Sequence, residues 1–147
     1  YGDAVKDVAM VLMIMSGAGA LKQILIDSGV SNEIGMILSG LDIHPLVLGW
    51  AMAAVIRVCV GSATVAGLTA AGIIAPMLAS LHVDANLMVL SIGAGSLMFS
   101  HVNDTGFWLF KEYFNLSLTE TIRSWSVMET IVSCCGLVGV MLIQSFL

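Results

Sequence analysis

The sequence predicts an all-α membrane protein, in which transmembrane helices accompany a re-entrant helical hairpin and a broken helix. Three observations predict it. The 147 residues are 59% hydrophobic and only 10% charged, against roughly 25% charged in soluble domains. Mean hydropathy is +1.01. Finally, two apolar stretches are interrupted by small and polar residues, "GSATVAG" (Gly61 to Gly67) and "SHVNDTG" (Ser100 to Gly106). Lipid cannot satisfy free backbone N–H and C=O groups, so non-helical backbone at mid-membrane survives only where it is buried in protein or lines a polar cavity.

The first segment, about 8–26, reads "VAMVLMIMSGAGALKQILI" and comes close to the roughly 20 residues needed to span a bilayer. It follows "YGDAVKD" rather than Met and lacks the basic flank and cleavage site of a signal peptide, so it is expected to be an internal start. Residues 27–44 mix acids, glycines and a short apolar stretch, as in a loop with an interfacial helix. Pro45 is placed to start a helix. The run 45–80 then divides at "GSATVAG" into two arms of about 15 residues each, short of a full crossing. That describes a re-entrant hairpin, with two tilted or kinked full spans as the competing arrangement.

Asp84 is positioned to cap the next segment, 84–111, a membrane helix broken at "SHVNDTG" and leaving through the interfacial aromatics of "FWLFKEYF". "SLTE" (Ser117 to Glu120) is a capping box ahead of the last membrane helix, 119–147, whose Trp125 suits an interface. With a hairpin, the acidic loop 27–44 and the 81–83 turn share one side of the membrane. Lys6, Lys111 and Arg123 share the other, which the positive-inside rule places in the cytoplasm.

Several function classes are excluded or weakened. The net charge is −5, and the Lys and Arg residues are single and scattered, so no patch tracks a nucleic acid backbone. Cys59, Cys134 and Cys135 have no metal-ligand spacing and read as packing residues; no metal site and no cofactor is expected. Ser62, His101 and Asp104 supply the residue types of a hydrolytic triad, but without a recognisable nucleophile elbow. The chain is not expected to be an enzyme.

The breaks carry the chemistry. At each, a new helix starts after small polar residues, so its unpaired N–H groups and positive dipole end can face an anion. Ser62 and Thr64 offer hydroxyls, and Gly61, Gly67 and Gly106 permit tight backbone turns. Such a stretch suits a polyol or a carboxylate, or else serves close helix packing. Asn103 and Thr105 are neutral hydrogen-bonding groups. Asp104, a carboxyl at membrane depth, can carry a coupling proton, coordinate a cation, cap a helix or pair with Arg57. His101 is a proton relay or a satisfied core histidine. Arg57, in the apolar arm "GWAMAAVIRVCVG", needs a partner: a substrate carboxylate, Asp104 or Glu129. Glu129 can also reach the interface by snorkelling.

"GAGALKQILIDSG", "IRVCVGSATVAGLTAAGIIAP" and "SHVNDTGFWLFKEYF" strongly resemble the C-terminal part of the gluconate permease family of bacterial proton symporters, over essentially the whole chain. That family resembles the wider ion transporter superfamily, built from two inverted repeats, each with a re-entrant hairpin and a broken helix. The resemblance implies that this chain is one half of an inverted-repeat transporter, with its N-terminal repeat as partner, in a multi-pass protein of the bacterial inner membrane. It implies import of gluconate or a related sugar acid by proton symport. Ser62, Thr64, Asn103 and Thr105 would bind the substrate, Arg57 would neutralise its carboxylate directly or through a neighbour, and Asp104 or His101 would carry the proton. Ala63 departs from the superfamily's common Ser-Asn-Thr tip, which disfavours sodium. The alternatives are a sodium-coupled carboxylate or D-serine transporter and a non-transporting membrane scaffold; a homo-oligomer is left open.

Overall fold

The computed structural model describes residues 43–146 apart from 76, 77, 82 and the side chains of 79 and 80, together with isolated positions before 43. Most of the expected first span 8–26 and of the loop 27–44 lies outside the described residues, as does Lys6. Among the described residues the fold is entirely helical: α1 (Pro45–Val60), α2 (Ala63–Ile74), α3 (Leu78–Leu81), α4 (Ala85–Gly95), α5 (Thr105–Tyr113), α6 (Leu118–Thr121), a π-helical turn (Ile122–Ser126) and α7 (Val127–Phe146).

Local signals set the ends of these helices. Pro45 occupies the first turn of α1, where its missing N–H costs nothing, and the His44 ring nitrogen Nδ1 accepts from the Leu46 N–H. The helix stops at Gly61, whose φ of +72° belongs to the left-handed region that a side chain disfavours. Ser62 then caps α2, its hydroxyl accepting from Val65 N–H. The first break is therefore only Gly61 and Ser62. Gly67, expected among the break glycines, is an interior residue of α2 packed beside Ser96.

Asp84 caps α4, its carboxylate accepting from Asn86 N–H at 2.8 Å and Leu87 N–H at 3.2 Å. The second break is wider than the expected cluster, running from the end of α4 to Asp104, which caps α5. Phe99 within it holds a positive φ of 38°, an uncommon conformation for an aromatic residue. The Ser117–Glu120 capping box forms in full.

From Leu118 to Phe146 the helical run is continuous over 29 residues, and an 18-residue stretch of it has mean hydropathy 2.0. At about 1.5 Å per residue it is long enough for a bilayer core of roughly 30 Å. By the same measure α1, with 16 residues, reaches only about 24 Å. The shorter α2 and α4 have 12 and 11 residues.

α1 is the centre of the structure, with α4, α2 and α7 laid against it. Leu46, Met52 and Ala53 of α1 form one core with Ala70 and Ile74 of α2, Leu87, Met88 and Ile92 of α4 and Val140 of α7. Small residues permit this closeness, as expected where helices gain little from apolar burial relative to lipid. A Cβ on Gly95 would collide with the Trp50 carbonyl, and one on Gly136 would press into Ala94. Trp50 also ties α1 to α7, its indole N–H donating to the Ser133 hydroxyl at 3.0 Å.

Candidate functional site

The two breaks touch. A Cβ on Gly61 would fall on the backbone carbonyl of Asn103, so only glycine lets them approach this closely. The Asn103 side chain completes the join: its Nδ2 donates to the carbonyls of Val58 at 2.9 Å and Cys59 at 3.1 Å. These are last-turn carbonyls of α1, which have no intrahelical partner. His101 also donates to the Val58 carbonyl, through Nε2 at 2.9 Å; a carbonyl only accepts, which assigns the proton to that nitrogen. The negative end of α1 is thus neutralised by two side chains of the other break and by Arg57 in its own last turn.

Beside this join lies a cavity of about 440 Å³, within the range of small-molecule sites. Ser62, Ala63 and Thr64 line it from the start of α2, and Asp104, Thr105 and Gly106 from the start of α5. Both helices therefore turn their N-terminal ends toward it, where first-turn N–H groups and the positive dipole favour an anion. Arg57 comes in from α1, Asn103 from the break and Glu129 from α7.

Arg57 is 3% exposed. Its Nη2 lies 2.7 Å from Asp104 Oδ2 and 3.6 Å from Glu129 Oε2. The residue's Nε and Nη1 are buried with no hydrogen-bond partner among the described residues, as is Asn103 Oδ1. Buried polar atoms in this state are costly unless something pairs with them. Their chemistry fits a hydroxylated carboxylate: a guanidinium donates to carboxylate oxygens in a planar fork, and an amide oxygen accepts from a hydroxyl.

Asp104 is held from three directions. It accepts from Arg57, from the Ser100 hydroxyl and, through Oδ1 at 3.1 Å, from Gly106 N–H. It thus serves as helix cap and ion-pair partner at once. Ser100 is a hub, 1% exposed. Its hydroxyl accepts from the Trp125 indole at 2.9 Å, and its carbonyl accepts from the Ser126 hydroxyl. Both partners belong to the π-helical turn. Trp125 is half-buried and braces the break.

Of the sequence-predicted site residues, the structure gathers Ser62, Thr64, Asn103, Thr105, Arg57, Asp104, Gly61 and Gly106 around one cavity. It leaves two apart. Gly67 lies within α2, and His101 binds the α1 terminus and lies against Phe99, the rings tilted by 43°, rather than lining the cavity. Ser62 is a helix cap and His101 is bonded to a carbonyl, so the triad that those residue types could have formed is not assembled. Glu129 joins the lining although its place in the sequence fits an interfacial residue as well; the buried Arg57, in need of a partner, is the signal that points to it.

The chain is 55% identical over 141 residues to a high-affinity gluconate transporter of Escherichia coli, covering 96% of this chain and 32% of that protein. It is 50% identical over 146 residues to the Gnt-II system L-idonate transporter of Escherichia coli, covering 99% and 33%. To the gluconate permease of Bacillus subtilis it is 45% identical over 141 residues, covering 96% and 32%. The chain thus spans about a third of the length of the curated relatives it matches. These relatives are transporters and permeases, not enzymes. No solved structure matches the chain. The model of the GntP family permeases matches residues 1–146, and with identities of this order the chain belongs to that family.

Proposed function

We propose that the whole protein carrying this chain imports gluconate or a related sugar acid across the bacterial inner membrane by proton symport, and that this chain supplies one half of its substrate site. The observation that carries the reading is the convergence of two helix N-termini and the buried Arg57 on one cavity. Dipoles and Arg57 can hold an anion there once one of the two carboxylates beside Arg57 is protonated, while Ser62, Thr64, Asn103 and Thr105 offer the partners that sugar hydroxyls require. Relatives named for gluconate and idonate transport support the same substrate class.

In this reading α1 and α2 are the arms of a re-entrant hairpin, since neither is long enough to cross the bilayer squarely. The α4–break–α5 segment is the discontinuous helix, and Leu118–Phe146 is a full span in the scaffold. An inverted N-terminal repeat supplies the opposite wall, and the hairpin and broken helix move together against the scaffold to expose the site alternately.

Uptake of radiolabelled gluconate into liposomes containing the whole protein tests this. An inward proton gradient with sodium absent should drive accumulation, and a protonophore should abolish it. Accumulation that follows a sodium gradient instead would overturn proton coupling, and indifference to gluconate in folded protein would overturn the substrate.

A further inference from the structure

The cavity contains one cation and two carboxylates, and the carboxylates are not held alike. Asp104 accepts hydrogen bonds from Arg57, Ser100 and Gly106 and caps α5. A proton on it would weaken the ion pair and disturb the hydrogen bonds that Arg57 and Ser100 both donate to its Oδ2. Glu129 stands on α7 with its side chain 15% exposed, lines the cavity, and has Arg57 Nη2 at 3.6 Å as its partner among the described residues. It can lose that one contact without disturbing a helix end.

Charge balance gives the two states different affinities for an anion. With both carboxylates ionised the cluster is net negative, and an incoming carboxylate meets uncompensated repulsion in a partly desolvated site. Protonation of Glu129 leaves Arg57 and Asp104 as a neutral pair, while Arg57 Nε and Nη1 remain buried and unpartnered among the described residues. The surroundings offer no nearer competitor. Among the elements packed against α7, α4 has no titratable side chain, α1 brings Arg57 and Cys59, and the π-helical turn brings the exposed Arg123. The break adds Asp104 and His101, the latter bonded to the Val58 carbonyl.

We infer that Glu129 is the coupling carboxyl: it takes up one proton from solution, releases its hold on Arg57, and so permits the guanidinium to receive the substrate's carboxylate. The inference rests on the symport reading above and assigns the proton within it. No covalent bond other than O–H forms or breaks. When the substrate leaves on the other side, Arg57 draws Glu129 back and the proton departs. By linkage, protonation and substrate binding must favour each other by the same factor.

The test uses the whole protein in liposomes, wild type beside Glu129→Gln and Glu129→Asp, with two readouts: gluconate counterflow without a gradient, and accumulation under an inward pH gradient. Glu129→Gln mimics the protonated state. It should keep counterflow, make it insensitive to pH from weakly acid to weakly alkaline buffer, and lose gradient-driven accumulation by at least about tenfold, the scale of a typical coupling between sites. Glu129→Asp should restore accumulation with a displaced pH profile. Wild-type accumulation in Glu129→Gln would overturn the assignment, and so would loss of counterflow in protein that remains folded. Should Glu129→Gln not fold, an unchanged pH profile in Glu129→Asp would overturn it instead. Wild-type protein indifferent to the proton gradient would refute the symport reading, an outcome distinct from these.

Discussion

Asp104→Asn isolates the charge of the Arg57–Asp104 pair. The amide keeps an oxygen to accept from Gly106 N–H, so the cap of α5 is retained, but it leaves a 3% exposed guanidinium with Glu129, at 3.6 Å, as its remaining anion. Removing one partner of a buried pair costs about 3–5 kcal/mol. The partial exposure of Asp104, 15%, and the nearness of Glu129 place this case near the lower end, about 3 kcal/mol. Replacing both partners, as in Arg57→Met with Asp104→Asn, removes the stranded guanidinium, and Glu129, which then loses its cation, can take up a proton, so part of that loss should be recovered. Melting of the detergent-solubilised whole protein, followed by size exclusion after heating, measures it: the single variant should melt several degrees below wild type and the double variant between them. A single variant that melts with wild type, or a double variant no better than the sum of its parts, would refute the idea that the two charges depend on each other.

Other outcomes follow from close backbone approaches. Gly61→Ala places a side chain at φ +72° and against the Asn103 carbonyl, so uptake should be abolished and melting should fall by more than the 1–2 kcal/mol of left-handed strain alone. Gly95→Ala should destabilise by several kcal/mol because its Cβ meets the Trp50 carbonyl of α1, an overpacking that a backbone cannot easily relieve. On the same helix, Gly93→Ala meets nothing within 4 Å and should be neutral or slightly stabilising, the expected gain of alanine over glycine in a helix. Equal melting of these two α4 variants would show that the helices are not packed as described.

The all-helical membrane class was legible because it rests on composition and on polar residues placed inside apolar runs. Helix starts at Pro45, Asp84 and Ser117 were legible because a cap is a local device, decided within a turn of chain. What the sequence left open depended on distant contacts. "GSATVAG" reads as one break from Gly61 to Gly67, yet one positive φ at Gly61 and one cap at Ser62 suffice to turn the chain, and Gly67 continues the helix. The π-helical turn at Ile122–Ser126 carries no periodic signal. It is the register that brings Trp125 and Ser126 onto Ser100, a match fixed by tertiary structure. His101 and Asn103 stand two apart in one motif, but only Asn103 lines the cavity while both serve the end of α1. Of the three partners open to Arg57, the fold supplies both Asp104 and Glu129, something that spacing along the chain could not decide.

In the proposed site, the cavity beside Arg57 receives the carboxylate of a hydroxylated acid. Equilibrium binding of radiolabelled gluconate to the purified whole protein, with unlabelled gluconate, idonate and the uncharged polyol glucitol as competitors, tests it most directly. Both acids should displace gluconate and glucitol should not, and an Arg57→Gln variant that remains folded should lose gluconate binding. Displacement by glucitol as effective as by gluconate, or wild-type affinity in Arg57→Gln, would contradict it.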